Sequence, residues 1–161
     1  MRAIVALGSN LGDRRAHLAA GLRALAELGT VLPSPLVLET PDATGTGPDY
    51  LNTVARLDTD LADPRRLLEA LLRIELRLGR HRPAPPNAPR TLDLDLVCAE
   101  AWRGVWRWPA PPDLAGCGPC LTLRLPHPRA AGRAFVREPL ARLDGGDGIL
   151  ADLKICAKES E

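Results

Sequence analysis

Apolar positions along the chain follow two periods, and the changes between them mark six elements. Residues 2–7, RAIVAL, are a short continuous apolar run ending in Gly8-Ser9-Asn10, turn chemistry that closes a buried strand. Asp13 can cap a helix whose leucines at 18, 22, 25 and 28 recur at three- and four-residue steps, with Gly29 as its left-handed stop. Residues 35–40 (PLVLET) read as a second strand, residues 41–48 (PDATGTGP) as a loop, and residues 50–58 as a third strand. Asp63-Pro64 opens a second helix with Leu67, Leu71, Ile74 and Leu78 on its buried stripe and Gly79 at its end. In residues 91–96, TLDLDL, Leu92, Leu94 and Leu96 fall on one side and Thr91, Asp93 and Asp95 on the other. That is a half-buried fourth strand.

Strand, helix, strand, strand, helix, strand is the ferredoxin-like βαββαβ order: an α+β fold, an antiparallel sheet with both helices on one face. If the three leucines meet the helices, the opposite face is left open and Asp93 and Asp95 look out from it. Beyond Val97 the pattern weakens into a C-terminal strand and helix extension. It holds Trp102, Trp106 and Trp108 in a Pro-rich stretch, then Cys117-x-x-Cys120, and a short helix after Glu138-Pro139. The tail from residue 145 is mostly polar apart from residues 149–155, and partial fraying is expected there. One domain over residues 1–161 is expected, without internal repeats.

Charge narrows the partners. Lys and Arg number 21 against 20 Asp and Glu, a net +1, so no global field favours nucleic acid or an anionic membrane. No apolar run approaches the roughly 18 residues of a spanning helix, and the N-terminus lacks a signal peptide's apolar region. A cytoplasmic monomer without membrane or nucleic-acid partners is the expectation, its four cysteines kept as thiols. Aromatics are scarce, with a single Tyr50 and a single Phe135, so neither is routine core filler.

The candidate chemistry lies between residues 80 and 96. Two carboxylates on one strand face suit Mg²⁺, a hard cation held by a few oxygens and completed by substrate phosphates. Arg80, Arg82 and Arg90, in a loop stiffened by four prolines, can take up further phosphate charge with forked donors. A solvated strand face beside a basic loop is the alternative. A ferredoxin-like RNA binder is disfavoured, because the fourth strand offers aspartates where stacking aromatics are needed. Cys117-x-x-Cys120 without a second pair is a weak zinc signal, and no strand-to-helix context makes it a redox motif.

Further motifs occur in a fixed order: ALGSNLGDR (6–14), ETP (39–41), DYLN (49–52), LLEALLRIELRLGRHR (67–82), PRTLDLDL (89–96) and LPHPRAAGRAFV (125–136). Together they resemble the 6-hydroxymethyl-7,8-dihydropterin pyrophosphokinases of folate biosynthesis. The resemblance implies transfer of pyrophosphate from ATP to the pterin hydroxymethyl group, leaving AMP. It implies two Mg²⁺ ions on Asp93 and Asp95, and transition-state charge stabilised by Arg80 and Arg90. ATP would be contacted by Glu75, Arg82, Arg90, Leu96, His127 and Arg133. The pterin would lie between Tyr50 and Phe135, with Asn52 and the backbone of Thr40, Pro41, Asp42 and Ala43 on its edge. The Gly- and Pro-rich loops at 41–48 and 81–88 would fold over bound substrates.

The chain departs from that pattern in places. Asn87 and Ala88 stand where the family carries Trp-Gly, and Leu72 where a polar adenine contact is common. Trp106 and Trp108 either substitute for the absent lid aromatic or pack an aromatic-poor lobe. The segment 97–123 is longer than usual. A binding protein of the same fold with weakened turnover is the alternative function.

Overall fold

The apolar run after Met1 forms strand β1 (Arg2–Ser9), every residue of it buried except Arg2. A computed structural model of the chain describes residues 1–158. Helix α1 (Arg14–Ala26) follows, capped by Asp13, whose carboxylate accepts from the Ala16 N–H at 3.0 Å. Then come β2 (Gly29–Pro33), β3 (Leu38–Thr40), β4 (Tyr50–Thr59) and α2 (Pro64–Arg77), with Asp63 capping α2 through the Arg65 N–H at 2.8 Å. Strand β5 (Asp93–Ala99) precedes a hairpin of β6 (Gly104–Pro109) and β7 (Cys120–Leu125), whose connection holds a 3-10 turn at Pro112–Cys117. Helices α3 (Ala134–Ala141) and α4 (Gly146–Lys158) close the chain.

The main sheet runs β2-β4-β1-β5, antiparallel at every pairing, with β3 also on β4. This is the expected ferredoxin-like order, except that the second strand is split. Both pieces pair with β4; between them the Ser34 N–H still donates to the Val54 carbonyl at 2.9 Å, and residues 35–37 leave the ladder. Pro33 and Pro35 cannot donate to it, and the Ser34 hydroxyl instead donates to the Pro139 carbonyl at 2.7 Å. Gly29 does not stop α1 as expected. The cap is Glu27, and Gly29 opens β2, where an added Cβ would lie 2.1 Å from the Asp58 carbonyl oxygen.

One face of the sheet meets α1 and α2, joining Val5, Leu7, Leu92, Leu94 and Leu96 to Leu18, Leu25, Leu67 and Leu71. The opposite face is not fully open, which corrects the expectation. Ile4, Ala6, Val54 and Val97 pack there against Val136 and Leu140 of α3 and Leu153 of α4. The physical reason is already in β1, whose unbroken apolar run needs cover on both sides, whereas Asp93 and Asp95 need none. α3 therefore covers the Val97 end of that face and leaves the aspartate end clear. α3 also begins before Glu138-Pro139, not after it, because burial of Val136 and Leu140 outweighs the one helix bond lost at Pro139. The tail from residue 145 carries α4, anchored by Leu153 at 3% exposure; residues 159–161 lie outside the described residues.

Trp106 and Trp108 pack against the α2 side of the core, and the Trp108 Nε1–H donates to the buried Glu69 carboxylate at 3.0 Å. The hairpin thus braces α2. Among the described residues no helix is long and apolar enough to cross a membrane.

Leu71, fully buried between α2 and the sheet, should lose about 2–5 kcal/mol of unfolding free energy as Leu71→Ala. Val105→Ala, at an exposed hairpin position, should stay within about 0.5 kcal/mol in the same urea titration.

Candidate active site

Small residues on β1 open a hollow in the sheet. Ala6 lies opposite Asp95, while Gly8 lies opposite Asp93 on one side and Asn52 on the other. A Cβ on Gly8 would come within 3.1 Å of Asn52 Oδ1 and 3.4 Å of Tyr50 Cδ1, so the absent side chain is what lets those groups sit there. Above this floor is a cavity of about 620 Å³.

Three segments wall it. β4 supplies Tyr50 and Asn52, and the loop before it supplies Thr40, Pro41, Asp42 and Ala43. The Asn52 amide donates to Thr40 Oγ1 at 2.8 Å. The Asp42 carboxylate knits the loop together, accepting from the Thr44 and Gly47 N–H groups at 3.1 and 3.2 Å and from the Thr44 hydroxyl. From the C-terminal part come Phe135, at the start of α3, and Arg133, whose guanidinium carbon lies 5.3 Å from the Phe135 ring centroid.

The third wall is the arginine loop and β5. Gly79, at φ +93°, turns the chain out of α2 and brings Arg80 back over Glu75. Glu75 is 1% exposed, and both its oxygens are occupied. Oε1 accepts from Arg80 Nη1 at 2.8 Å and the Leu94 N–H at 2.7 Å, and Oε2 accepts from Arg82 Nη2 at 2.8 Å. Burial pushes the Glu75 carboxyl up, and the Arg80 charge opposes this. Glu75, for which the resemblance implies a nucleotide contact, stands on the cavity wall and is also a buried anchor for two arginines.

Arg80 Nη1 also donates to Asp93 Oδ1, which Arg90 Nη1 reaches at 3.5 Å. Burial works against the Arg80 charge, but Asp93 and Glu75 outweigh it and hold the guanidinium firmly protonated. Asp95 Oδ2 accepts from Arg133 Nη1 at 3.3 Å. Burial, then the like charge of Asp93, push the Asp95 carboxyl up. Leu96 and His127 line a second cavity of about 270 Å³, which shares Leu68, Leu94 and Asp95 with the first. Burial pushes the His127 imidazole down, against the pull of Asp95. Every residue that the resemblance assigns to metal, ATP or pterin thus borders one of two cavities that meet at Asp95.

Such a site, with arginines and paired carboxylates at one end and two lone aromatic rings at the other, suits a polyphosphate beside a flat heterocycle. A family model for 7,8-dihydro-6-hydroxymethylpterin-pyrophosphokinase matches residues 4–145. The chain belongs to this family. The 2-amino-4-hydroxy-6-hydroxymethyldihydropteridine pyrophosphokinase of Pseudomonas aeruginosa is 41% identical over 146 residues, covering 88% of this chain and 80% of its own length. Proteins of the same name from Methylorubrum extorquens and Bacillus subtilis are 34% and 33% identical, each over 88% of this chain and over 82% and 77% of their own lengths.

Two features of this pyrophosphokinase differ from the family pattern. Asn87, in the lid position of the usual Trp, lines the cavity with φ +60°, a left-handed conformation that Asn tolerates well. Neither Trp106 nor Trp108 borders either cavity, so packing is their role. Leu72 lines the main cavity, as does Arg129, which sequence reasoning passed over although it sits in the LPHPRAAGR motif. Cys117 and Cys120 are both thiols, flanking the link into β7, and the turn that ends at Cys117 packs on the Arg82 backbone.

Glu75→Ala would leave two largely buried guanidinium groups without their shared acceptor. Urea unfolding should show a loss of about 3–5 kcal/mol. Retention of wild-type stability would mean that the arginines do not depend on this anchor.

Proposed function

We propose that the main cavity carries out the family's reaction with the residues that line it. The chain is a pyrophosphokinase that transfers the β,γ-pyrophosphoryl group of ATP to the hydroxymethyl oxygen of 6-hydroxymethyl-7,8-dihydropterin, in folate biosynthesis. A bond forms between that oxygen and the β-phosphorus, the bond from the β-phosphorus to the α,β-bridging oxygen breaks, the hydroxyl proton is lost, and AMP leaves. In-line transfer of this kind needs positioning and charge neutralisation more than covalent chemistry.

The observation that carries the assignment of residues is the shared cavity: Asp93, Asp95 and the arginines at one end, Tyr50 and Phe135 at the other. Tyr50 and Phe135 hold the pterin between their faces, while Asn52, Thr40 and the backbone of residues 41–43 meet its polar edge. Arg80 and Arg90 face the transferring group, held there by Glu75 and Asp93, and stabilise charge that grows on the phosphate oxygens. Arg82, Arg133, His127 and Leu96 receive the rest of the nucleotide.

The donor set at Asp93 and Asp95 fits magnesium. Both side chains stand partly exposed on one strand face, at 28% and 38%, and Asp93 Oδ2 and Asp95 Oδ1 accept no hydrogen bond among the described residues. Asp93 and Asp95 would hold two Mg²⁺ ions. Bound there, the ions would supply Lewis-acid neutralisation of triphosphate charge. Arginine charge stands against one oxygen of each carboxylate, Arg80 and Arg90 on Asp93 and Arg133 on Asp95, so the residues that greet phosphate also orient the acids.

Asn87 in the lid favours one further test, since a weakened binding protein would hold ATP without turnover. AMP release from Mg-ATP and the pterin alcohol is the expected result; tight ATP binding without AMP would favour the binding protein. Asp93→Ala and Asp95→Ala should each lower kcat by about 10²–10³-fold, and wild-type rates in either would end the assignment. Tyr50→Ala should weaken pterin binding by roughly tenfold in calorimetry and leave ATP affinity nearly unchanged.

A further inference from the structure

Asn10, the first residue after β1, has a buried side chain that no role above uses; it is 1% exposed. An asparagine at a strand end ordinarily bonds its own turn two residues on. Asn10 bonds two distant segments instead. Its Oδ1 accepts from the Arg90 N–H at 2.9 Å, and its Nδ2 donates to the Pro48 carbonyl at 3.2 Å. Its own N–H donates to the Arg90 carbonyl at 3.2 Å, so the Arg90 peptide is gripped from both sides. Pro48 ends the loop that leads into Tyr50, and Arg90 ends the arginine loop just before Asp93.

Those two attachments do not have equal backing. Arg14, from the same turn, donates to the Asp49 carbonyl at 2.8 Å and to Glu39 at 3.1 Å, a second latch on the loop before Tyr50. The far half of the arginine loop has no such reserve. Between residues 83 and 91, the hydrogen bonds that leave the 80–93 segment, among the described residues, are those to Asn10. The other bonds there, Ala88 N–H to the Pro85 carbonyl, Arg90 Nε to the Ala88 carbonyl and Arg90 Nη1 to Asp93 Oδ1 at 3.5 Å, stay within that segment.

We propose that Asn10 is a positioning residue that pins the ends of both cavity loops to one buried amide, and through the Arg90 peptide sets where the Arg90 guanidinium stands. It touches no substrate. The proposal rests on the pyrophosphokinase reading, and because Arg14 also secures the Pro48 side, its main effect falls on Arg90 and on turnover, with a smaller one on pterin affinity.

Steady-state AMP formation tests it. Asn10→Ala should lower kcat about ten- to hundredfold, the scale for a misplaced catalytic group, and change the pterin KM by less than about threefold. In an Arg90→Ala background the same substitution should cost less than about twofold more, since the guanidinium it places is gone. Wild-type kcat in Asn10→Ala, or full additivity with Arg90→Ala, would overturn the proposal. Native-state hydrogen exchange gives an answer that needs no variant. The Arg90 amide of the wild-type protein should be protected although it lies in a Pro-rich loop, and exchange at the unstructured rate would overturn the pin. If the wild-type protein makes no AMP, the functional reading fails, and the exchange result still decides whether the pin exists.

Discussion

A carboxylate buried between α2 and β5 is the interaction on which the site depends. Taking Glu75 out of water costs several kcal/mol unless its charge is matched and its lone pairs are filled. Two guanidinium groups and the Leu94 N–H do both. The arrangement ties the end of α2 to the start of β5 and decides which way Arg80 and Arg82 point. Arg80 then continues to Asp93, so acid, base and acid form one chain from the interior to the cavity wall. A forked, permanently charged side chain can serve two acids at once, and a lysine in its place would supply no such planar fork.

This chain of charges stands on a sheet that is thin where the cavity begins. Ala6 and Gly8 present almost no side chain between Asn52 and the two aspartates, and α3 covers only the far end of that face. A wider residue at position 8 would displace the Tyr50 ring and the Asn52 amide together. The loops that border the cavity are anchored at their ends, and the far half of the arginine loop is sparsely bonded in its middle. Segments of that kind can close over a ligand and reopen without disturbing the core. Asn87 puts a polar side chain from the arginine loop on the cavity wall.

Periodicity made five of the six first elements legible with small boundary errors, because β1, α1, β4, α2 and β5 each bury a defined set of leucines, valines and alanines. The split second strand was not legible. Pro33 and Pro35 remove donors there, and the Ser34 hydroxyl bonds a carbonyl more than a hundred residues away. α4 was obscured as well: its apolar residues are interleaved with glycine and charge, and packing of Leu153, with Ile149 and Leu150, against distant segments decides its docking. The early start of α3 belongs to the same class, since a proline normally marks a first turn and only packing at Val136 and Leu140 overrules it.

For the site, the chain by itself determined which residue types are available. Two aspartates at two-residue spacing must share a strand face, three arginines must sit in a stiff loop, and a lone Tyr and a lone Phe must have uncommon roles. Local geometry fixes those statements, because strand pleat and proline torsions hold whatever surrounds them. Only the tertiary structure decided that Glu75 faces the arginines, that Arg80 reaches both an interior and an exposed acid, and that Asn10 joins two loops. Each of these is a hydrogen bond between groups that the fold brings together, from 5 to 80 residues apart in sequence, and no local preference encodes which partner a buried polar group will meet.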